Sequence, residues 1–229
     1  MNILALDTSM GACSAALLCA DHAARRLVLR EAPMARGHAE ALMPMVAEVL
    51  AEAGFAPRDL ALIAATEGPG SFTGVRIAIA AARGLKLATG AELYGTDSLT
   101  VMARTALAKG LSPQGPFAVA VDARRGMLYL GLYGPDGARR EGPLLIAPGE
   151  AAALLPPDLA RAVGSGAAFL AEAAAAQGRR IATALPDLEP SAAALAEIAC
   201  EAGEAHATVR PLYLRPPDAR PQAPGVTRR

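Results

Sequence analysis

This sequence contains no tryptophan, only two lysines and three histidines, and its charged side chains cancel to a formal net charge of zero. Without a net charge, the chain has no overall field that would draw it to nucleic acid or to a membrane surface. His22, His38 and His206 are far apart and form no HExxH pair, which excludes the zinc-protease site that this motif builds. No basic leader and no uncharged apolar run of membrane-spanning length are present, so we expect a cytoplasmic protein.

Cysteine is also scarce. Cys13, Cys19 and Cys200 stand alone in apolar surroundings, and their odd number argues against a disulfide framework. We therefore expect reduced thiols within the core of a cytosolic protein. A hydrophobic content of 53% against 19% charged residues indicates a well-buried globular chain, and its 229 residues suffice for one large or two small domains.

The most informative segment is a glycine-rich turn that joins an apolar run to an alanine-rich stretch. The apolar run 62–66 predicts a short buried strand, and residues 67–74 (EGPGSFTG) lead into a predicted helix over 74–89. Such a turn directs backbone N–H groups at an anion or at another backbone segment. The glycine spacing matches neither the P-loop nor the dinucleotide-binding fingerprint. We therefore interpret Gly68, Gly70 and Gly74 as a structural turn that needs either positive φ or a close approach.

Two hairpin-like segments each carry an aspartate at the end of a strand. Asp7, Thr8 and Ser9 follow the predicted strand 2–6, and Asp122 follows the predicted strand 117–121. A carboxylate beside hydroxyl groups can contact a Mg–phosphate group, which makes these four residues candidates for phosphate or nucleotide contact. The alternative is that Asp, Ser and Thr occur here because turns favour them.

Five segments, taken in order, point to a family. They are residues 3–9 (ILALDTS), 36–40 (RGHAE), 68–76 (GPGSFTGVR), 121–125 (VDARR) and 211–215 (PLYLR). Together they closely resemble the bacterial TsaB-type tRNA threonylcarbamoyladenosine biosynthesis proteins. The resemblance implies an α/β fold of the actin-like, sugar-kinase and Hsp70 type, with two related lobes that are each a mixed sheet flanked by helices. It also implies a non-catalytic scaffold or activator in the complex that forms N6-threonylcarbamoyladenosine at position 37 of tRNAs reading codons that begin with A.

The same resemblance implies the partners. They are a catalytic sister subunit of the same superfamily, bound as a heterodimer, and a small ATPase subunit; tRNA is contacted only through the complex, and the chain alone can form a homodimer. ATP and Mg are then used by the complex, and this chain binds no metal or cofactor tightly. The catalytic sister family carries a paired-histidine metal motif after the strand that corresponds to residues 92–94, whereas residues 95–100 here (GTDSLT) contain no histidine.

The chain is predicted to divide at residues 112–116 (SPQGP), a cluster of helix and strand breakers. An N-terminal lobe then covers 1–111, a C-terminal lobe covers 112–214, and residues 215–229, rich in Pro and Arg, form a mobile tail. A helix is predicted near 38–53, with Pro44 in its first turn or marking a late start.

The resemblance implies that the helices near 38–53 and 74–89 contact the sister subunit. Arginine and methionine are common in protein interfaces, and these helices carry both. The candidate interface residues are Met43, Met45, Val49, Arg76, Ile79, Arg83 and Lys86.

An alternative function is an autonomous actin-like phosphotransferase or hydrolase that acts on a small metabolite. Asp7 and Asp122 would then hold Mg–phosphate between the two hairpin tips. Actin-like kinases usually have a glycine two residues after each aspartate, and neither tip has one here. Tight ATP–Mg binding by the isolated chain would favour this alternative.

Overall fold

The computed structural model describes residues 1–20, 25–203, 205–206 and 208–214, and it contains two five-stranded sheets of matching topology. The first sheet has the order β3-β2-β1-β4-β5, and the second has the order β8-β7-β6-β9-β10. The first comprises β1 (Asn2–Asp7), β2 (Ala12–Ala20), β3 (Arg25–Pro33), β4 (Leu62–Thr66) and β5 (Glu92–Thr96). The second comprises β6 (Phe117–Asp122), β7 (Leu128–Tyr133), β8 (Arg139–Ile146), β9 (Arg161–Val163) and β10 (Ala182–Ala184).

Strand direction repeats between the two sheets. In each sheet the first three strands are antiparallel, and the remaining two lie parallel to the central strand. Within the described ranges six α-helices accompany them: α1 (His38–Ala53), α2 (Phe72–Thr89), α3 (Ser98–Ala108), α4 (Pro148–Leu154), α5 (Ala167–Ala176) and α6 (Ala192–Ala202). The prediction of two related mixed-sheet lobes flanked by helices is confirmed.

Two helices pack on a different sheet from the one that their position in the chain suggests. Helices α1 and α2 cover one face of the first sheet, and α6 covers the other, where Leu195 packs against Ile3 and Leu18. Helices α4 and α5 cover one face of the second sheet, while α3 covers its other face, where Met102 packs with Phe117. The division at residue 111 stays a prediction, but by packing α3 belongs to the second sheet and α6 to the first.

Local signals explain where several helices begin and end. Helix α1 spans the predicted residues and ends at Gly54, whose φ of 79° is the left-handed conformation that glycine adopts readily. Pro44 was predicted to lie in the first turn or to mark a late start, but it lies inside α1 and is exposed. Helix α2 begins two residues before Gly74, because the Ser71 hydroxyl accepts a hydrogen bond from the Gly74 N–H at 3.3 Å.

The described C-terminal segment, residues 205–206 and 208–214, runs along the edge of the first sheet. The His206 N–H donates to the Leu93 carbonyl at 2.6 Å, and the Leu212 N–H donates to the Glu67 carbonyl at 2.7 Å. Val209 is completely buried in the core beneath α1 and α2, and its carbonyl accepts a hydrogen bond from Arg83 at 2.6 Å. The predicted mobile tail 215–229 and His22 lie outside the described residues. Across the described part of the chain, no helix combines the length and apolarity needed to cross a membrane.

We expect Arg83→Glu to loosen this C-terminal segment. The substitution removes the donor to Val209 and places a carboxylate near its carbonyl, so stability should fall by about 1 kcal/mol and the melting temperature by roughly 2–4 °C. Hydrogen exchange should rise within 208–214. Arg58→Glu is the control. The Arg58 side chain is 86% exposed, and its Nε is 4.0 Å from the nearest Asp59 oxygen, so this ion pair is weak. Unchanged exchange and melting temperature in Arg83→Glu would contradict the role given to this hydrogen bond.

Candidate functional site

The two hairpin tips face a common cleft with a volume of about 1420 Å³. The β1–β2 tip contributes Ser9 and Gly11, and the β6–β7 tip contributes Asp122 and Arg124. The glycine-rich turn and the end of the C-terminal segment, at Tyr213, complete the wall. The fold thus brings the sequence-predicted tips together, and the question is which of their polar groups are available to a ligand.

The glycine-rich turn packs directly on the first tip. A Cβ atom at Gly70 would lie 2.2 Å from the Ser9 carbonyl oxygen, and one at Gly74 would lie 2.0 Å from the Thr8 carbonyl oxygen. Of the three predicted turn glycines, Gly68 alone has positive φ, at 95°. Gly70 and Gly74 are therefore required by a close backbone approach, and the turn meets another backbone segment rather than an anion.

Hydrogen bonds reinforce this approach. The Ser71 N–H donates to the Ser9 carbonyl at 2.7 Å. The Thr8 hydroxyl donates to the Gly74 carbonyl at 2.6 Å and accepts from the Ala78 N–H at 3.1 Å. Thr8 is fully buried and its hydroxyl has both donor and acceptor roles satisfied, so it is not placed to contact a phosphate.

Asp7 lies in the same buried network. Its carboxylate accepts hydrogen bonds from the Ser9 hydroxyl at 2.8 Å, from the Ser9 N–H at 3.2 Å and from the Thr66 hydroxyl. Burial raises the pKa of Asp7 from 3.8 to about 7, although the hydrogen bonds from Thr66 and Ser9 oppose the rise. The Ser98 hydroxyl donates to that of Ser9 at 3.0 Å. Of the three predicted residues at this tip, only Ser9 lines the cleft.

Asp122 lies at the second tip and is bound within its own turn. Its Oδ1 accepts from the Arg124 N–H at 2.7 Å, and its Oδ2 is 3.2 Å from Nη1 of the same arginine. The Asp122 N–H donates to the Ser165 hydroxyl at 3.1 Å. The structure therefore brings both tips to one cleft, but each carboxylate is held by donors of its own chain.

Sequence reasoning missed Glu189, a carboxylate from the second half of the chain that binds the first tip. Glu189 Oε2 accepts the Gly11 N–H at 2.8 Å, and a Cβ atom at Gly11 would lie 2.7 Å from Oε1. Burial raises the pKa of Glu189, and repulsion from Glu31 and Asp187 adds to the rise, whereas the Gly11 N–H lowers it. The two partners are 178 residues apart, so no local pattern could have indicated the contact.

The residues at the tips do not fit a Mg–phosphate group. An actin-like enzyme would need the first carboxylate and a backbone N–H of the tip for the phosphates, and here Asp7 is buried and the Gly11 N–H is bound to Glu189. A second carboxylate in that position would repel a phosphate. Within the described ranges, no three His, Cys, Asp or Glu side chains are grouped closely enough to hold a metal ion.

Two of the predicted interface residues are wrong. Val49 is fully buried and Ile79 is 3% exposed, and both pack in the core between α1, α2 and the first sheet. Met45 is partly buried against the same core. Val49 and Ile79 lie on the inward side of their helices, so they are not available to a partner.

Both helices also carry exposed residues on their outward sides, which we together call the α1–α2 outer face. It consists of Met43, Ala47 and Ala51 on α1 and of Phe72, Arg76, Ala80, Arg83 and Leu87 on α2. The α2 residues recur at i, i+4, i+8, i+11 and i+15, which places them on one stripe of the helix. Lys86 lies beside the stripe, half-buried, with its Nζ 3.1 Å from Glu92.

Arg76 is ordered by two aromatic rings. Its guanidinium lies 3.3 Å from the centre of the Phe72 ring and 5.4 Å from that of Tyr213, and the rings are 5.7 Å apart. Leu87, at the other end of α2, is 89% exposed. Sequence reasoning missed Phe72, Leu87 and Tyr213, although the spacing along α2 carried the signal for the first two.

A family model, curated relatives and solved structures all match this chain, and the matches agree with one another. The family model described as "TsaD: tRNA N6-adenosine threonylcarbamoyltransferase" matches residues 32–200. An uncharacterized protein of Mycobacterium tuberculosis is 35% identical over 224 residues, which cover 97% of this chain and 95% of that protein. The Escherichia coli tRNA threonylcarbamoyladenosine biosynthesis protein TsaB is 37% identical over 136 residues, 59% of this chain and 56% of TsaB. The solved structure of YeaZ from Pseudomonas aeruginosa matches with a TM-score of 0.77 and 31% identity, covering 93% of this chain and 100% of YeaZ.

We expect Gly70→Ala to destabilise the protein by about 2 kcal/mol or more, because the new methyl group would overlap the Ser9 carbonyl. The control is Gly84→Ala in α2, the helix that follows this turn, where a Cβ atom meets nothing within 4 Å. That control should gain about 0.5–1 kcal/mol, since alanine is the better helix former. Denaturant unfolding of both variants measures the difference, and equal stability of the two would rule out the close approach at Gly70.

A second prediction concerns the pH dependence of stability at Asp7. Its pKa is raised in the folded state, so folding is favoured below about pH 4 and loses that advantage as pH rises through about 7. In Asp7→Asn, where nothing titrates and the amide can still bond Ser9, this loss disappears. From pH 5 to pH 7 the variant should gain on the order of 2 kcal/mol relative to the parent. Parallel stability profiles of the two proteins over this range would contradict the shift.

Proposed function

Because this chain belongs to the family of TsaD, the tRNA N6-adenosine threonylcarbamoyltransferase, as a TsaB-type member, we propose that it is a non-catalytic subunit in threonylcarbamoyladenosine biosynthesis. Its role is to hold a catalytic relative of the same superfamily in its active arrangement. The product is N6-threonylcarbamoyladenosine at position 37 of tRNAs that read codons beginning with A. We propose a cytoplasmic location, as the sequence predicts.

The observation that carries this proposal is the occupancy of the two hairpin tips by the chain itself. Asp7 and Thr8 are buried in a closed hydrogen-bond network, and Glu189 takes the Gly11 N–H that faces the cleft. A transferase or kinase needs these groups for its substrate, because catalysis of phosphate chemistry depends on positioned donors and metal ligands. ATP and Mg are accordingly assigned to the complex and not to this cleft.

The α1–α2 outer face is the surface we assign to the catalytic relative. Arginine, methionine and aromatic side chains are the types that dominate binding energy at protein interfaces. Stacking on Phe72 and Tyr213 holds Arg76 in place before binding, which reduces the side-chain entropy lost on association. The small residues Ala47 and Ala80 allow a partner helix to approach closely.

The remaining partners follow from the same assignment. A small ATPase subunit joins the heterodimer, and tRNA is brought to the chain through the complex. In the absence of the catalytic relative, the same exposed face can pair two copies of this chain. No observation favours the alternative of an autonomous phosphotransferase or hydrolase, and calorimetric detection of tight ATP–Mg binding by the isolated chain would restore it.

We expect Met43→Asp and Leu87→Asp to weaken the heterodimer by a factor of about 30 or more, as for central interface residues. Both residues are exposed, at 45% and 89%, so the melting temperature of the isolated chain should not change. The matched control is Leu154→Asp on α4, where the side chain is 46% exposed. Affinity for the TsaD-type subunit of the same organism and formation of the modified nucleoside are measured together.

Two results would count against this assignment. Normal affinity in Met43→Asp and Leu87→Asp, with normal melting temperatures, would remove the α1–α2 outer face from the interface. Formation of threonylcarbamoyladenosine by the catalytic relative and the small ATPase at full rate without this chain would remove the scaffold role itself.

A further inference from the structure

The β6–β7 tip has an unusual backbone for its residues. Arg124 and Arg125 both have positive φ, at 63° and 55°, and Gly126 follows at 70°. Tight hairpin turns of this hand normally use Asn, Asp or Gly, because a side chain in the left-handed region is strained. Two successive arginines are therefore not explained by the local stability of the turn. Backbone strain of this kind is concentrated at functional positions.

The turn displays cationic groups at the surface. The Arg124 side chain is 85% exposed, and it is oriented from below by Asp122, which accepts from both its N–H and its guanidinium. Arg125 is also exposed. An arginine guanidinium suits phosphate because its planar donors match two phosphate oxygens.

An apolar hollow adjoins the two arginines. Arg124, Arg125 and Gly126 line it together with Asp122, Met127, Leu128, Pro148 and Phe169, and its volume is about 340 Å³. Phe169, in the first turn of α5, is 49% exposed, in a chain with only four phenylalanines and no tryptophan. An exposed ring beside guanidinium groups is the combination on which unpaired bases stack while their phosphates are bound.

We propose that this hollow, which we call the β6–β7 pocket, binds an unpaired nucleotide of RNA, with Phe169 stacking on the base and Arg124 and Arg125 binding the flanking phosphates. The inference rests on the proposed function to the extent that the complex brings RNA to this chain. An unpaired nucleotide is favoured as the occupant because the volume of the hollow, about 340 Å³, falls within the roughly 300–1,000 Å³ of small-ligand sites. The pocket belongs to the second sheet, whereas the α1–α2 outer face belongs to the first.

The test measures fluorescence anisotropy of a labelled RNA hairpin with an adenosine-rich unpaired loop, titrated with the full chain at several salt concentrations. Arg124→Ala and Arg125→Ala should each weaken binding and lower the slope of log affinity against log salt by about one. Phe169→Ala should weaken binding of the looped RNA about ten-fold, leave the salt slope unchanged, and have no effect on a fully paired duplex. Arg58→Ala is the matched control, because that side chain is 86% exposed.

Arg124→Gly separates a functional from a structural role. Glycine relieves the left-handed strain, so this variant should keep or raise the melting temperature while RNA binding falls as in Arg124→Ala. If Arg124 stabilised the fold, Arg124→Gly would have a lower melting temperature, and its RNA affinity would fall in proportion to the fraction of folded protein.

Four outcomes would overturn the inference: no binding of the looped RNA by the parent chain, equal affinity in the parent and the pocket variants, an equal loss in Arg58→Ala, or loss of a protein subunit from the complex with RNA affinity unchanged. Met43→Asp separates a failure of the β6–β7 pocket from a failure of the proposed function. It should fail to assemble with the catalytic relative yet bind the looped RNA like the parent. Unchanged RNA binding in the pocket variants, with assembly intact, would refute the β6–β7 pocket alone.

Discussion

The close approach of the glycine-rich turn to the first hairpin tip is the contact on which the rest of the structure depends. The Ser9 and Thr8 carbonyls occupy the space in which side chains at Gly70 and Gly74 would begin. This contact fixes the start of α2, because the Thr8 hydroxyl bonds both the Gly74 carbonyl and the Ala78 N–H within its first turns. The direction of α2 in turn determines which side chains form the outer face and where the C-terminal segment lies.

The same contact occupies the polar groups of the first hairpin tip that a phosphate in the cleft would need. These groups instead join β1, β4, α2 and α3, as the bonds from Thr66 to Asp7 and from Ser98 to Ser9 show. Glu189 completes this closure from the second half of the chain. The exposed arginine side chains that we assign to binding lie instead on α2 and at the β6–β7 tip.

Local patterns predicted much of the fold and little of the site. Helix α1 begins and ends where the sequence indicated, because its apolar stripe is bounded by Gly37 and Gly54. Strands β8 and β10 and helix α4 were not predicted, since they are short or half-exposed and carry weak periodicity. Val49 and Ile79 were assigned to the wrong side because a stripe at helical spacing does not say which surface it meets. The contact of Glu189 with Gly11 depends on tertiary structure alone.

The exchange of α3 and α6 between the sheets has a consequence for the order in which the protein can be completed during translation. The face of the first sheet that carries Ile3, Leu18 and Leu62 is covered by α6 (Ala192–Ala202), which is synthesised roughly 100 residues after β5 (Glu92–Thr96), the last strand of that sheet. Until α6 leaves the ribosome, the nascent first half exposes an apolar sheet surface. We therefore expect this surface to be the part of the nascent chain most prone to aggregation until α6 covers it.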